Sequence, residues 1–181
     1  FVGIDRDISE HKRTEDVLCR ANRALQALNH CRQILMTAQD EQELMDNLCR
    51  LLVAEGGYRL VWIGFAETDA GKTVRPVARA GLDTGYLDSL RITWADTELG
   101  RGPTGAAIRT GQPSIARQIA QDPVFAPWRT AALAHGYASS IALPLRGENA
   151  CLGALNLYAA EPDAFDPAEV EWLAGLANDL A

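Results

Sequence analysis

Two apolar runs joined by Gly147-Glu148-Asn149 dominate the stretch from Ser139 to Ala159, and within each run apolar positions recur every second residue. Ile141, Leu143 and Leu145 fall on one face of the first run, Leu155 and Leu157 on one face of the second. A period of two predicts strands, and the turn-like joint predicts a β-hairpin. The other face of the second strand carries Ala154, Asn156 and Tyr158. A buried amide without a partner costs about 1–3 kcal/mol, so two readings compete for Asn156: it satisfies a neighbouring loop's backbone, or it looks into a ligand cavity. Residue type alone favours the first.

Elsewhere the period is helical. Glu10 to Ala38 contains no Pro or Gly, and Leu18, Ala21, Leu25, Leu28 and Leu35 recur at three- and four-residue intervals, broken by Arg32. This predicts a long amphipathic helix with a coiled-coil-like seam. Its first half reads as a projecting, partner-seeking segment, although a helix packed on its own domain would show the same stripe. Asp40 with Glu43 makes a capping-box start for a helix through Leu44, Met45, Leu48, Leu51 and Leu52, stopped by Gly56-Gly57. Tyr58 to Glu67 and Val74 to Ala80 read as a second hairpin. Leu82 to Leu90 predicts a short helix, and Arg91 to Ala95 a short strand or extended loop.

Gly100-Arg101-Gly102-Pro103-Thr104-Gly105 leads into a helix closed by Gly111. Such a start can cradle an anion through free N–H groups, but no Gly-Lys-Ser/Thr follows, and close packing that only glycine permits is the favoured reading. Pro113 to Ile119 is a candidate strand, and Asp122 to Trp128 a compact turn that starts a helix over Trp128 to His135. The clearest helix start is Asp166-Pro167-Ala168-Glu169, with Val170, Leu173, Leu176, Ala177 and Leu180 as the apolar face.

The 181 residues suffice for one well-buried core plus an appendage. Lys and Arg number 17 against 24 Asp and Glu, a net charge of −7, so the field repels nucleic acid and anionic membrane surfaces. Cys19, Cys31, Cys49 and Cys151 form no CxxC pair and stand at no metal-ligand spacing with His; a reduced, cytoplasmic chain without metal or cofactor is expected. No apolar run approaches the ~20 residues of a membrane helix. A chain that begins with Phe and shows no signal peptide reads as a piece of something longer.

In order and spacing, YRLVWIGFAE, RGPTGAAIRTGQP, DPVFAPW, SSIALPLR, LGALNLYA and FDPAEVEWLAGLANDLA resemble a GAF domain, from about Asp40 to Ala181. Upstream, GIDRDISEHKRTED resembles the last strand and exit of a PAS domain. The resemblance divides the chain into a PAS remnant (1–9), a signalling helix (10–38) and a GAF domain (39–181). It implies an α+β, PAS-related fold: a central antiparallel sheet of about six strands, terminal helices on one face, and short helices and loops enclosing a pocket on the other. It also implies a homodimer through the N-terminal helix and an output domain of histidine kinase or diguanylate cyclase type in the parent chain.

On this resemblance the chain is a regulatory sensor that binds a small molecule between the sheet and the elements from Leu82 to Tyr137. Candidate ligand-binding residues are Trp62, Trp94, Arg117, Asp122, Trp128, Tyr137, Ser140, Asn156 and Tyr158, a mixture of aromatic walls and placed polar groups. Each has a structural alternative: Trp62 and Tyr158 as core, Asp122 as a turn cap, Ser140 bonding backbone. The Asn-Lys-x-x-Asp/Glu pattern of cyclic-nucleotide binders is absent, and His30-Cys31 reverses the order of bilin attachment. Some GAF proteins reduce free methionine sulfoxide with a cysteine in a segment resembling RGPTG. Thr104 stands there here, and a hydroxyl cannot run thiol–disulfide chemistry, so no enzyme is expected. A third reading is a ligand-free dimerising spacer with a side-chain-filled pocket.

Overall fold

The computed structural model describes residues 40–181 together with His30, Cys31, Gln33 and Ile34, the last four helical. The PAS-like strand over 1–9 and most of the helix over 10–38, with its dimer seam, lie outside the described residues.

Helix α1 (Glu41–Gly56) begins where expected. The Asp40 carboxylate accepts from the backbone N–H of Glu43 at 2.7 Å, and Gly57 closes the helix at φ 74°, a left-handed conformation that glycine adopts at little cost. Strands β1 (Leu60–Ala66) and β2 (Val74–Gly81) pair as a hairpin. Helix α2 (Tyr86–Ser89) is a single turn, and a 3₁₀ turn (Glu98–Gly100) precedes α3 (Pro103–Thr110). After β3 (Ser114–Ala116) come a second 3₁₀ segment (Pro123–Trp128) and α4 (Arg129–Ala134). The predicted hairpin of β4 (Ser139–Arg146) and β5 (Cys151–Ala159) follows, and then α5 (Pro167–Asp179), whose cap Asp166 accepts from the Glu169 N–H at 2.8 Å.

The sheet has five strands in the order β2-β1-β5-β4-β3, all neighbours antiparallel. This corrects the expected six. Arg91 to Ala95 contributes only one bridge, between Thr73 and Thr93. Beyond that bridge the Lys72 N–H turns back to the Asp69 carbonyl, and the Arg109 guanidinium takes the carbonyls of Trp94 and Ala95 at 3.0 and 3.1 Å.

Alternation along the strands separates two cores. Val61, Ile63, Ile141, Leu143, Leu145, Leu155 and Leu157 pack with Met45, Leu48, Cys49 and Leu52 of α1 and with Leu173, Leu176 and Ala177 of α5. Burying each such side chain contributes about 1.5–3 kcal/mol, so this face fixes the terminal helices. Tyr58, stacked on Phe165, donates its hydroxyl to the Glu169 carboxylate and ties the start of α5 to the segment before β1. The opposite face carries Leu60, Trp62, Ala154 and Tyr158, covered by α2, α3, the second 3₁₀ segment and α4.

Candidate functional site

The covered face holds a pocket walled by Tyr86, Phe125, Trp128 and Tyr158, by the aliphatic Leu90, Ile92 and Leu99, and by the backbone from Gly102 to Gly105. The space over these walls, open solvent at the mouth included, is about 310 Å³, but the centre of a water molecule can move through only about 20 Å³ of it. That is room for about one ordered water.

Local chemistry puts each wall in place. Gly85 takes φ 84° and turns Tyr86 inward, while Asp83 accepts from the N–H of Leu87 at 2.9 Å. Arg79 bridges Asp83 and Asp88 at 2.8 and 2.9 Å across the same turn. Helix α3 starts at Gly102 without a side-chain cap. A Cβ there would strike the Trp128 ring, and one on Gly105 would strike the carbonyl oxygen of Gly100, so the glycine-rich stretch is indeed close packing. Arg109 also reaches the carbonyl of Gly100 at 2.5 Å and holds the 94–100 loop over α3.

Asn156 lies behind the wall, with protein partners. Its Oδ1 accepts from the Thr104 hydroxyl at 2.8 Å, and its Nδ2 donates to the Ala154 carbonyl at 3.1 Å. The amide therefore pins the first turn of α3 to β5. Trp62 and Tyr86 are differently placed: at 0% and 1% exposure, the Trp62 Nε1 and the Tyr86 hydroxyl make no well-formed hydrogen bond. The Tyr158 hydroxyl interacts with both. Burial pushes the phenols of Tyr86 and Tyr158 above the usual tyrosine range, which keeps them neutral. Ser140, paired across the strands with Tyr158, also has a buried hydroxyl without a partner.

Of the residues expected to meet a ligand, Trp128 and Tyr158 line the pocket, while Trp62, Ser140 and Asn156 sit on the sheet face beneath it. Tyr137 is one layer removed: it packs edge-on against Tyr86 and donates to the Leu82 carbonyl. Three expectations are corrected. Trp94 is a loop anchor, its indole N–H donating to the Glu67 carbonyl at 2.9 Å and its ring lying 4.4 Å from the Lys72 ammonium. Arg117 is exposed, facing Asp163 at 3.7 Å. Asp122 caps the second 3₁₀ segment by accepting from the Val124 N–H at 2.9 Å. Sequence reasoning missed Tyr86, Phe125 and the wall formed by Thr104. The signal for Tyr86 was an aromatic after a glycine, in the polar run Leu82 to Leu90.

Of the described cysteines, two lie across the sheet from the pocket and Cys151 packs against the pocket-side core without lining the cavity. Cys31 and Cys49 are buried in the core under α1, where burial pushes both thiols up to about 12. Cys151, at the start of β5, is half-buried with its thiol donating to the Gly153 carbonyl at 3.2 Å. Among the described residues no group of His, Cys, Asp and Glu is arranged to hold a metal ion. None of the described helices is long and apolar enough to cross a membrane.

The sequence pattern of one family, described as GAF domain, matches residues 38–181. No curated protein matches the chain. Among solved structures, the free methionine-R-sulfoxide reductase of Neisseria meningitidis, in complex with its substrate, is 20% identical with a TM-score of 0.72, over 87% of this chain and 85% of that one. The GAF domain of a phosphoenolpyruvate-protein phosphotransferase from Coxiella burnetii is 18% identical with a TM-score of 0.72, over 89% and 92%. The reductase of Staphylococcus aureus, in reduced form, is 14% identical with a TM-score of 0.69, over 87% and 92%. At these identities the likeness is one of fold. It corrects the expectation of a chain that is no enzyme, because reductases and other GAF domains share this architecture, and a pocket over a sheet can house either role. With the family pattern spanning 38–181 and the five-stranded sheet between two helical layers, the chain belongs to the GAF domain family, a regulatory small-molecule-binding fold.

Proposed function

We propose that this chain is a regulatory sensor whose ligand occupies the aromatic pocket between β5 and the start of α3. The observation that carries the reading is a pocket walled by Tyr86, Phe125, Trp128 and Tyr158, beside which two buried donors, Trp62 Nε1 and the Tyr86 hydroxyl, have only the Tyr158 oxygen between them. An unmade hydrogen bond of this kind costs about 1–3 kcal/mol, and a ligand acceptor would recover it. Signal leaves through β5. Its Ala154 and Tyr158 face the pocket side, and its Leu155 and Leu157 face α1 and α5, so opening the pocket shifts the packing of both terminal helices. The proposal includes a homodimer through the helix over 10–38 and an output domain of histidine kinase or diguanylate cyclase type in the parent chain, in the cytoplasm.

One observation favours a second reading, a ligand-free dimerising spacer: the pocket closes around about 20 Å³, room for about one water. A thermal-shift screen against small metabolites separates the two. A ligand at 100 times its Kd stabilises by about 2.7 kcal/mol, a clear rise in Tm. If no compound raises Tm and no small molecule copurifies, the spacer reading stands instead. Because reductases share the fold, the same screen includes free methionine sulfoxide with a thiol reductant. Turnover abolished by Cys151→Ser would assign catalysis to this chain.

A further inference from the structure

Three buried protons meet around the Tyr158 oxygen. The Trp62 indole N–H can only donate, while the Tyr86 and Tyr158 hydroxyls each bring one proton and can also accept. Trp62 and Tyr86 both face Tyr158, so three protons share two contacts. Whichever phenol donates to the other, one hydroxyl proton is left over. Burial holds both phenols neutral, and the proton is therefore not lost by ionisation. The acceptors nearby are taken or out of place. The Leu82 carbonyl accepts from Tyr137, the Asn156 Oδ1 accepts from Thr104, and no Asp or Glu side chain lines the pocket. Ser140, across the strands from Tyr158, makes no hydrogen bond and does not line the pocket either.

Tyr86 and Tyr158 are both residues of the pocket wall, whereas Trp62 is not, so the spare proton sits on the wall whichever phenol carries it. A buried water needs about 10–15 Å³ through which its centre can move, together with two to four polar partners. The pocket gives about 20 Å³. The phenol pair supplies two partners, because the oxygen that does not carry the spare proton keeps a lone pair free to accept. A third is at hand in the first turn of α3. Thr104 and Gly105 line the pocket, and their backbone N–H groups have no protein partner among the described residues.

We propose that this pocket is a site for one ordered water, which accepts the spare proton of the Tyr86–Tyr158 pair, donates back to the other phenol, and accepts from the first turn of α3. The water joins α2, β5 and α3 in one hydrogen-bonded unit, alongside the Asn156–Thr104 pair. It belongs to the sensor and the spacer alike: in a sensor it is what an entering ligand displaces, and in a spacer it is the lasting occupant. Oxygen-17 relaxation dispersion of the full chain tests this, because it counts long-lived waters and does not see exchanging hydroxyl protons. The double variant Tyr86→Phe/Tyr158→Phe keeps both rings and removes both hydroxyls, and it is expected to hold one long-lived water fewer than the unaltered chain. Equal counts would overturn the proposal. Should the double variant fail to fold, a crystal structure of the unaltered chain decides. Solvent density about 3 Å from both phenol oxygens is expected; a pocket without such density, or a protein group accepting the spare proton, would refute the site.

Discussion

Asn156 and Thr104 form a buried side-chain pair whose energy can be isolated. Their hydrogen bond, at 2.8 Å, spans 52 residues and joins β5 to α3, with both residues buried. Replacing Asn156 by Leu, a residue of similar size, removes the acceptor and strands the Thr104 hydroxyl. Replacing Thr104 by Val strands the Asn156 Oδ1. Each orphaned group costs about 1–3 kcal/mol, so each single substitution should destabilise by about 2 kcal/mol, a fall in Tm of about 6 °C for a domain of this size. The double substitution puts an apolar pair where a polar one stood and leaves neither group unmet. It should therefore be no less stable than either single variant, with a coupling energy of about 1–2 kcal/mol. Urea denaturation followed by circular dichroism, with m-values required to agree, measures the cycle. Additive single costs would show that the pair does not hold α3 to the sheet.

Gly102→Ala keeps an allowed backbone, at φ −62° and ψ 170°, but drives a methyl group into the Trp128 ring. It should cost about 1–3 kcal/mol and shift the tryptophan fluorescence; an unchanged spectrum would mean that Gly102 does not set the ring's position. Tyr58→Phe removes the hydroxyl donated to Glu169 and should lower stability by about 1–2 kcal/mol by urea titration, while an unchanged midpoint would show that this bond does not anchor α5. The Cys49 thiol is pushed up to about 12 by burial, then by Asp46. Its raised folded-state pKa adds stability in full below the unfolded value near 9, lost as pH rises from there towards 12. Cys49→Ala should therefore flatten the fall in stability between pH 9.5 and 10.5 by about 1 kcal/mol, and identical slopes would contradict the burial of that thiol.

Where periodicity met a single neighbour, sequence and structure agree. Leu155 and Leu157 point to the terminal helices because a period of two leaves no other arrangement once one face is buried. Asp40, Asp166 and the glycine closures work through contacts a few residues away, and such contacts are written locally. Long-range partners are not. Asn156 could have faced a ligand or a loop, and only the fold brings Thr104 to it from 52 positions away. The sixth strand shrinks to a single bridge, where the Lys72 N–H turns back to Asp69 and Arg109 takes two carbonyls from a helix 14 residues downstream. Arg117 and Asp122 looked like ligand groups by type, yet a surface carboxylate and a turn N–H claim them. Tyr86 escaped notice because a one-turn helix has no period to reveal which way it points.

The central claim is that the pocket between β5 and the start of α3 is the place where a small molecule is sensed. It is tested most directly by amide and indole NMR of the isotopically labelled chain, titrated with any compound that raises its Tm. The account predicts that the Trp128 and Trp62 indole resonances and the Thr104 and Gly105 amides move together and saturate at one Kd, with Leu155 and Leu157 following. Stabilising compounds that shift other surfaces and leave these resonances in place would contradict it.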